Sequence, residues 1–299
     1  MVEHFNQDSF GSGGFFVGIN DNNVTLPDGT QVDNGINFRN TFHMNPMVDA
    51  DLFVPCGGRP ASVTGMNVNQ LIRDGKPAYK YIVEGANLFN TQEARTALEN
   101  AGAILFKDAS TNKGGVSSSS LEVLAALSMT DEEFAEKMSV KEGEEPPAFY
   151  QAYVNEVQDR VEENARLEFD CLWKAKQESS DIHSHVLTDL LSTKINQVNI
   201  DVQGSKLWED KNIQRKVLAA ALPKTLTDEI GLDTVLDRLP DDYKKSLFGC
   251  FIASRYVYSH GMKGQEFAFF EFMQNWANPH EEKEPWNVSW ASILIHMIL

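Results

Sequence analysis

One stretch constrains this chain more than any other, from Tyr79 to Leu127. A short apolar run, Tyr81-Ile82-Val83, stops at Glu84-Gly85-Ala86-Asn87, and a helical pattern follows from about Thr91 to Gly102. Within it Ala94, Ala97, Leu98 and Ala101 recur at i, i+3, i+4 and i+7, one face of an amphipathic helix. A second apolar run, Ala103-Ile104-Leu105-Phe106, comes at once. A crossover of that length makes the two strands parallel. Both predicted strands open into loops rich in Gly, Asn and Ser, the second through Asp108-Ala109-Ser110-Thr111-Asn112-Lys113-Gly114-Gly115. In an open parallel sheet, the carboxyl ends of the strands are where small ligands bind.

Ala50-Asp51-Leu52-Phe53-Val54 reads as a third parallel strand, ended by Pro55-Cys56-Gly57-Gly58-Arg59-Pro60. Its nearly continuous apolar character predicts a sheet covered on both faces. Upstream, Phe15–Ile19 and Val24–Leu26 are separated by Asp21-Asn22-Asn23, and the turn former Pro27-Asp28-Gly29 follows. Residues 14–33 therefore read as a small β meander. Asp33-Asn34-Gly35 reads as a further turn, and Phe38–His43 as a linker.

Downstream, about Ser118 to Ser128 is a helix apolar nearly all round, which predicts burial. Thr130-Asp131-Glu132-Glu133 is a capping box. The acidic stretch Lys141–Pro147 reads as a solvated linker. Beyond it Phe149, Tyr153, Val157, Val161 and Ala165 recur at every fourth residue, and further helices are expected near 182–197, 205–221, 227–239 and 241–259. The expected class is α/β, a parallel sheet with a small β meander followed by an all-helical C-terminal domain.

Composition removes several functions. With 26 Lys and Arg against 43 Asp and Glu, the formal charge is −17, and the basic residues form no stripe. A nucleic-acid surface needs a basic footprint, so none is expected. Cys56, Cys171 and Cys250 are far apart and match neither a zinc spacing nor a disulfide framework, which points to a reducing compartment. Met1–Phe16 is polar and acidic, unlike a secretory or transit peptide. The longest apolar run, Ala291–Leu299, is too short to span a bilayer, so no membrane role is expected.

The local motifs divide unevenly. Gly11-Ser12-Gly13-Gly14 has neither the preceding strand nor the following helix of a dinucleotide fingerprint, and reads as a flexible loop. Asn112-Lys113-Gly114-Gly115 lacks P-loop spacing, but its glycines allow a ligand close to the backbone. The serines after it, Ser117–Ser120, sit at a helix N-terminus that favours an anion; equally, Ser117 or Ser118 caps that helix. Gly85-Ala86-Asn87 is either a ligand loop or a turn in which Asn takes the left-handed conformation. Cys56 has no base nearby and reads as a structural thiol, and Arg59 as the partner of an acidic neighbour rather than of an anion. His183 and His185, two apart, would face different sides of a helix, so no metal site is expected.

Three segments then carry a family resemblance through their order and spacing. They are Ala50–Pro60, Ile82-Val83-Glu84-Gly85-Ala86-Asn87-Leu88-Phe89, and Lys107-Asp108-Ala109-Ser110-Thr111-Asn112-Lys113-Gly114-Gly115-Val116. Together they resemble the large-subunit, NAD-specific glutamate dehydrogenases of the Glu/Leu/Phe/Val dehydrogenase superfamily, from about Phe15 to Phe272. The resemblance implies the C-terminal part of a Rossmann-type domain over residues 1–140 and a helical domain over 147–275, while residues 276–299 depart from it as an atypical tail. It implies NAD as cofactor, L-glutamate, 2-oxoglutarate and ammonium as reactants, and a homo-oligomer in the intact enzyme.

By the same resemblance, Pro55, Cys56 and Gly57 line the nicotinamide pocket. Gly85, Ala86 and Asn87 form the loop on the nicotinamide-ribose side, Asn112 lies near the nicotinamide amide, and Ser119 meets the substrate carboxylate. The family's Gly-rich fingerprint, catalytic lysine and proton-handling aspartate have no counterpart in Met1–Thr41, so no catalytic residue is assigned. A fragment inactive by itself is expected. The other readings are a non-catalytic module that associates with full-length subunits, and a degenerate product whose exposed parallel edge favours aggregation. The expected compartment is the cytoplasm, with the mitochondrial matrix as the alternative.

Overall fold

A computed structural model describes residues 14–57 and 59–277. Gly11–Gly13 of the glycine-rich loop, Gly58, and the tail after Ala277 lie outside the described residues. The chain divides into two units. The first runs up to Lys113 and includes Lys176–Thr188; the second holds Gly114–Ala175 and continues from Asp189.

In the first unit, β1 (Asn22–Thr25) and β2 (Gln31–Asn34) pair antiparallel with Val24 opposite Val32. Gly29, at φ +86°, closes the turn by donating its N–H to the Leu26 carbonyl. The expected meander is thus a two-stranded hairpin, because Phe15–Ile19 pairs with no strand among the described residues. Asn34-Gly35 is a helix start rather than a plain turn: the Asn34 side chain accepts the Asn37 N–H at 3.0 Å and caps α1 (Gly35–Thr41). The expected linker Phe38–His43 is accordingly helical and ends in a 3-10 turn over Phe42–Met44.

β3 (Leu52–Phe53) is followed by a hairpin of β4 (Ile72–Arg73) and β5 (Lys76–Pro77). Its turn, Asp74-Gly75, has both φ values positive, the ordinary Asp-Gly signal for a tight hairpin, although this hairpin was not among the sequence expectations. Then come β6 (Tyr81–Val83), α2 (Gln92–Asn100) and β7 (Ile104–Phe106). The sheet order is β3-β6-β7, parallel throughout, with Phe53 beside Ile82 and Ile82 beside Leu105. Thr91 caps α2, whose Ala94 and Leu98 join Ile82, Leu105, Leu71, Tyr79 and Phe89 in one apolar core.

The other face differs from expectation. Leu52 is 52% exposed and Tyr81 38%, while Phe106 on the same face is buried, so the second face is covered only in part among the described residues. In β3 itself Leu52 is exposed and Phe53 half-buried.

After the one-turn α3 (Asp108–Thr111), the second unit begins with α4 (Gly114–Ser128). This helix starts at Gly114, so the serines lie inside it and cap nothing. The Ser118, Ser119 and Ser120 hydroxyls donate back to the Gly115 and Val116 carbonyls. Nor is α4 wholly buried: Val116, Val123 and Leu127 are exposed, and only Leu124, Ala125 and Ser128 are covered. Thr130 and Glu133 form the expected capping box of α5 (Asp131–Lys137).

The remaining elements are helices: α6 (Ala148–Glu178), α7 (Ser184–Gly204), α8 (Lys211–Ala221), α9 (Lys224–Ile230), α10 (Leu232–Arg238), α11 (Asp241–His260) and α12 (Glu266–Ala277). The expected helix 227–239 is two, divided at Gly231 with φ +89°, and α12 lies beyond the last helix expected. Leu124, Tyr153, Leu222, Leu226, Val235 and Leu239 form a core of this unit, and burial pushes the Tyr153 phenol well up. No described helix is long and apolar enough to cross a membrane.

Candidate functional site

The parallel strands all deliver their carboxyl ends to one place. Past β3 the chain leaves through Pro55, whose carbonyl accepts the Ala86 N–H at 2.6 Å. A Cβ added at Gly85 would stand 3.1 Å from that carbonyl oxygen and 3.3 Å from Cys56 Sγ, so only glycine fits without crowding. Pro55-Cys56-Gly57 and Gly85-Ala86-Asn87 therefore lie against each other. Past β7, α3 carries the chain to Asn112, whose Nδ2 donates to Asn87 Oδ1. Thr111 fastens the same two ends, its hydroxyl donating to the Glu84 carbonyl at 2.6 Å.

The structure thus gathers Pro55, Cys56, Gly57, Gly85, Ala86, Asn87 and Asn112 at the carboxyl end of one sheet. Gly57 has open space where a side chain would be. Cys56 is an exposed free thiol. Ser119 belongs to the other unit, exposed on α4 with its hydroxyl donating to the Val116 carbonyl at 3.1 Å.

Under the loops lies a buried charge network that the sequence did not disclose. Arg95 of α2 bridges Glu84 and Asp108, which sit at the ends of β6 and β7. Glu84 looks in sequence like the polar residue that stops a strand, and Arg95 like a residue on the polar side of a helix. The one sequence sign is that Arg95 adjoins Ala94 and Leu98 on the buried stripe.

Beside the loops a cavity of about 720 Å³ opens, with Arg39, His43, Phe53, Pro55, Gly57 and Arg59 in its wall. Arg59 is exposed and makes no ion pair among the described residues, contrary to expectation. The His43 ring stacks on Phe53 at 5.4 Å and meets Phe89 edge-on at 5.2 Å. Its Nε2 is buried with no hydrogen-bond partner among the described residues, and burial holds the His43 pKa below its ordinary value.

That shift has a sign. Above about pH 6.5 the ring is neutral in folded and unfolded chains alike. Between that value and the lower folded one, only the unfolded chain takes up the proton, so stability falls as pH falls. The expected result is that His43→Phe, which keeps the stacking, loses less melting temperature than the parent between about pH 7.5 and about pH 5.5. An equal loss in both proteins would contradict it.

The two histidines near α7 also depart from expectation. His183 precedes the helix, so helical spacing does not separate it from His185, and their rings stack at 5.4 Å. Glu99 accepts the Ser184 N–H at 2.6 Å and pairs with His185 Nδ1, while His183 meets Asn100 Oδ1 at 3.0 Å. Among the described residues, no group of His, Cys, Asp and Glu is placed to hold a metal.

The chain is 49% identical to glutamate dehydrogenase 2 of Dictyostelium discoideum, over 92% of this chain and 26% of that protein. It is 50% identical to the NAD-specific glutamate dehydrogenase of Neurospora crassa, over 91% of this chain and 26% of the relative. The protein of that same name from Saccharomyces cerevisiae is 43% identical, again over 91% and 26%. The chain spans about a quarter of the length of the curated relatives it matches. No solved structure matches it. The model of the Glutamate/Leucine/Phenylalanine/Valine dehydrogenase family matches residues 20–179, over half of the chain, and the chain belongs to that family.

Proposed function

We propose that this chain is a part of an NAD-dependent glutamate dehydrogenase, that it supplies the nicotinamide side of the cofactor cleft, and that it is catalytically silent alone. The observation that carries this reading is the joining of the strand-end loops, with the Asn87 and Asn112 amides meeting where the parallel strands end. The donor set fits the cofactor. Two side-chain amides complement a carboxamide and ribose hydroxyls, and the open backbone at Gly57 admits a flat ring. The names of the relatives support the pairing of NAD with glutamate.

Bound NAD would supply the hydride acceptor for the amine-bearing carbon of L-glutamate, and water would then release the oxidised product as 2-oxoglutarate and ammonium. The work of this chain is orientation. Asn112 and Asn87 hold the carboxamide and ribose, the Pro55–Gly57 backbone walls the ring, and Ser119 is assigned to the substrate carboxylate. No residue of the chain is assigned to proton transfer or to activating the amine, which is why isolated turnover is not expected. In the intact enzyme the chain takes part in a homo-oligomer.

The test is a chimera in which this chain replaces the matching quarter of the Dictyostelium relative. The chimera is expected to reduce NAD with glutamate, and Asn112→Ala within it to lower kcat/KM for NAD by about tenfold. A chimera that assembles but does not reduce NAD would contradict the reading. Glutamate-dependent NADH formation by the isolated chain would overturn its silence.

A further inference from the structure

We propose that Glu84, Arg95 and Asp108 are positioning residues for the cofactor, a buried clamp that holds the Asn87 turn in a strained shape so that Asn87 and Asn112 meet. This assignment rests on the reading that the face carrying these amides takes the nicotinamide. The three residues are 0%, 3% and 6% exposed. Arg95 grips Glu84 with two prongs, Nη2 to Oε2 at 2.6 Å and Nε to Oε1 at 2.9 Å, and reaches Asp108 Oδ1 at 3.1 Å. Gln92 steadies the guanidinium at 2.8 Å, and Asn90 donates to Glu84 Oε1 at 2.9 Å.

The strain lies one residue past Asn87. Leu88 has φ +55°, a left-handed conformation that a leucine adopts rarely. Its side chain is 61% exposed, so packing of that side chain does not impose the conformation. The backbone is held at both ends: its N–H donates to Asp108 Oδ2 at 2.7 Å and its carbonyl accepts the Ala61 N–H at 2.8 Å, so the charged side of the restraint is Asp108. Such strain persists only where the surroundings over-determine it, and here the surroundings are charged and buried.

The connectivity is direct. Glu84 immediately precedes Gly85, and its carbonyl takes the Thr111 hydroxyl beside Asn112. Asp108 opens the turn that ends at Asn112 and holds Leu88 across the gap. Arg95 fixes both carboxylates from α2, so the two strand ends that bear the amides cannot move independently. A buried ion network is a poor device for stability, since a packed apolar substitute does as well or better. Its worth here is geometry.

The test uses the whole chain and two variants, Arg95→Lys, which keeps the charge and loses the fork, and Asp108→Asn, which keeps the shape and an oxygen for the Leu88 N–H. The readouts are hydrogen exchange at the Leu88 amide and the Kd for NADH. Both variants are expected to exchange Leu88 about tenfold faster and to bind NADH about tenfold more weakly. Ile252→Val, a core change in the other unit, is expected to alter neither. Should Arg95→Lys fail to fold, Asp108→Asn carries the test.

Unchanged Leu88 exchange overturns the clamp, whatever NADH does. Faster exchange with NADH affinity held within about twofold overturns its cofactor role. A parent chain that does not bind NADH at all overturns the reading of the site, and the positioning role with it. Asn87→Ala separates the two claims, since it should weaken NADH binding while Leu88 stays protected.

Discussion

Arg95→Met lowers the stability of the first unit by about 3–5 kcal/mol, because it leaves two carboxylates buried without their cation. Glu84 has no exposed surface and Asp108 is 6% exposed, so both carboxylates are covered where Arg95 meets them. Methionine fills much of the arginine stem's volume, so the loss is electrostatic rather than a cavity. In a chain of two units the loss should appear in one transition only, and urea unfolding followed by residue-resolved exchange distinguishes them. The triple variant Glu84→Gln, Arg95→Met, Asp108→Asn removes the charges together and is expected to recover part of the stability. A single-variant loss under about 1 kcal/mol would show that the network is not closed to solvent.

The second large effect lies in the other unit. Phe248→Ala is expected to cost about 3–5 kcal/mol, the usual range for deleting a buried aromatic ring. Phe248 has no exposed surface and meets Trp208 edge-on at 5.5 Å. It heads the stripe Phe248, Ile252 and Tyr256, spaced four apart along the buried face of α11. Phe267 on α12 supplies the contrast: it is mostly exposed, and Phe267→Ala should cost little. The two substitutions would have similar effects only if α11 were not packed as described.

Much of the first unit is legible in sequence because its signals are local. Short apolar runs bounded by Gly and Asn mark β6 and β7, the helical stripe of α2 fixes the crossover, and the strand-end loops follow from where those runs stop. The capping box at Thr130 is equally local. What was illegible depends on distance in sequence. Arg95 reads as polar helix surface until the fold sets it between residues 84 and 108, and Glu99 gives no hint that it caps α7.

The two overturned burial expectations share a cause. Apolar sequence in β3 and α4 predicts burial, yet Leu52 and Val116 are exposed, because burial needs a second layer that those residues do not have among the described ones. The serines of α4 suggest a cap, but helix starts depend on the backbone before them, and the two glycines joined the helix. Asp74-Gly75 is the exception, a short-range turn signal that suffices for the hairpin it closes.

The most direct measurement is a titration of the isotope-labelled chain with NADH, followed by the shifts of its amide signals. The account predicts that the side-chain amides of Asn87 and Asn112 and the backbone amides of Gly57, Gly85 and Ala86 move along one saturable curve, while residues around Phe248 stay still. Saturable shifts elsewhere with those amides unmoved, or no binding at all, would contradict it.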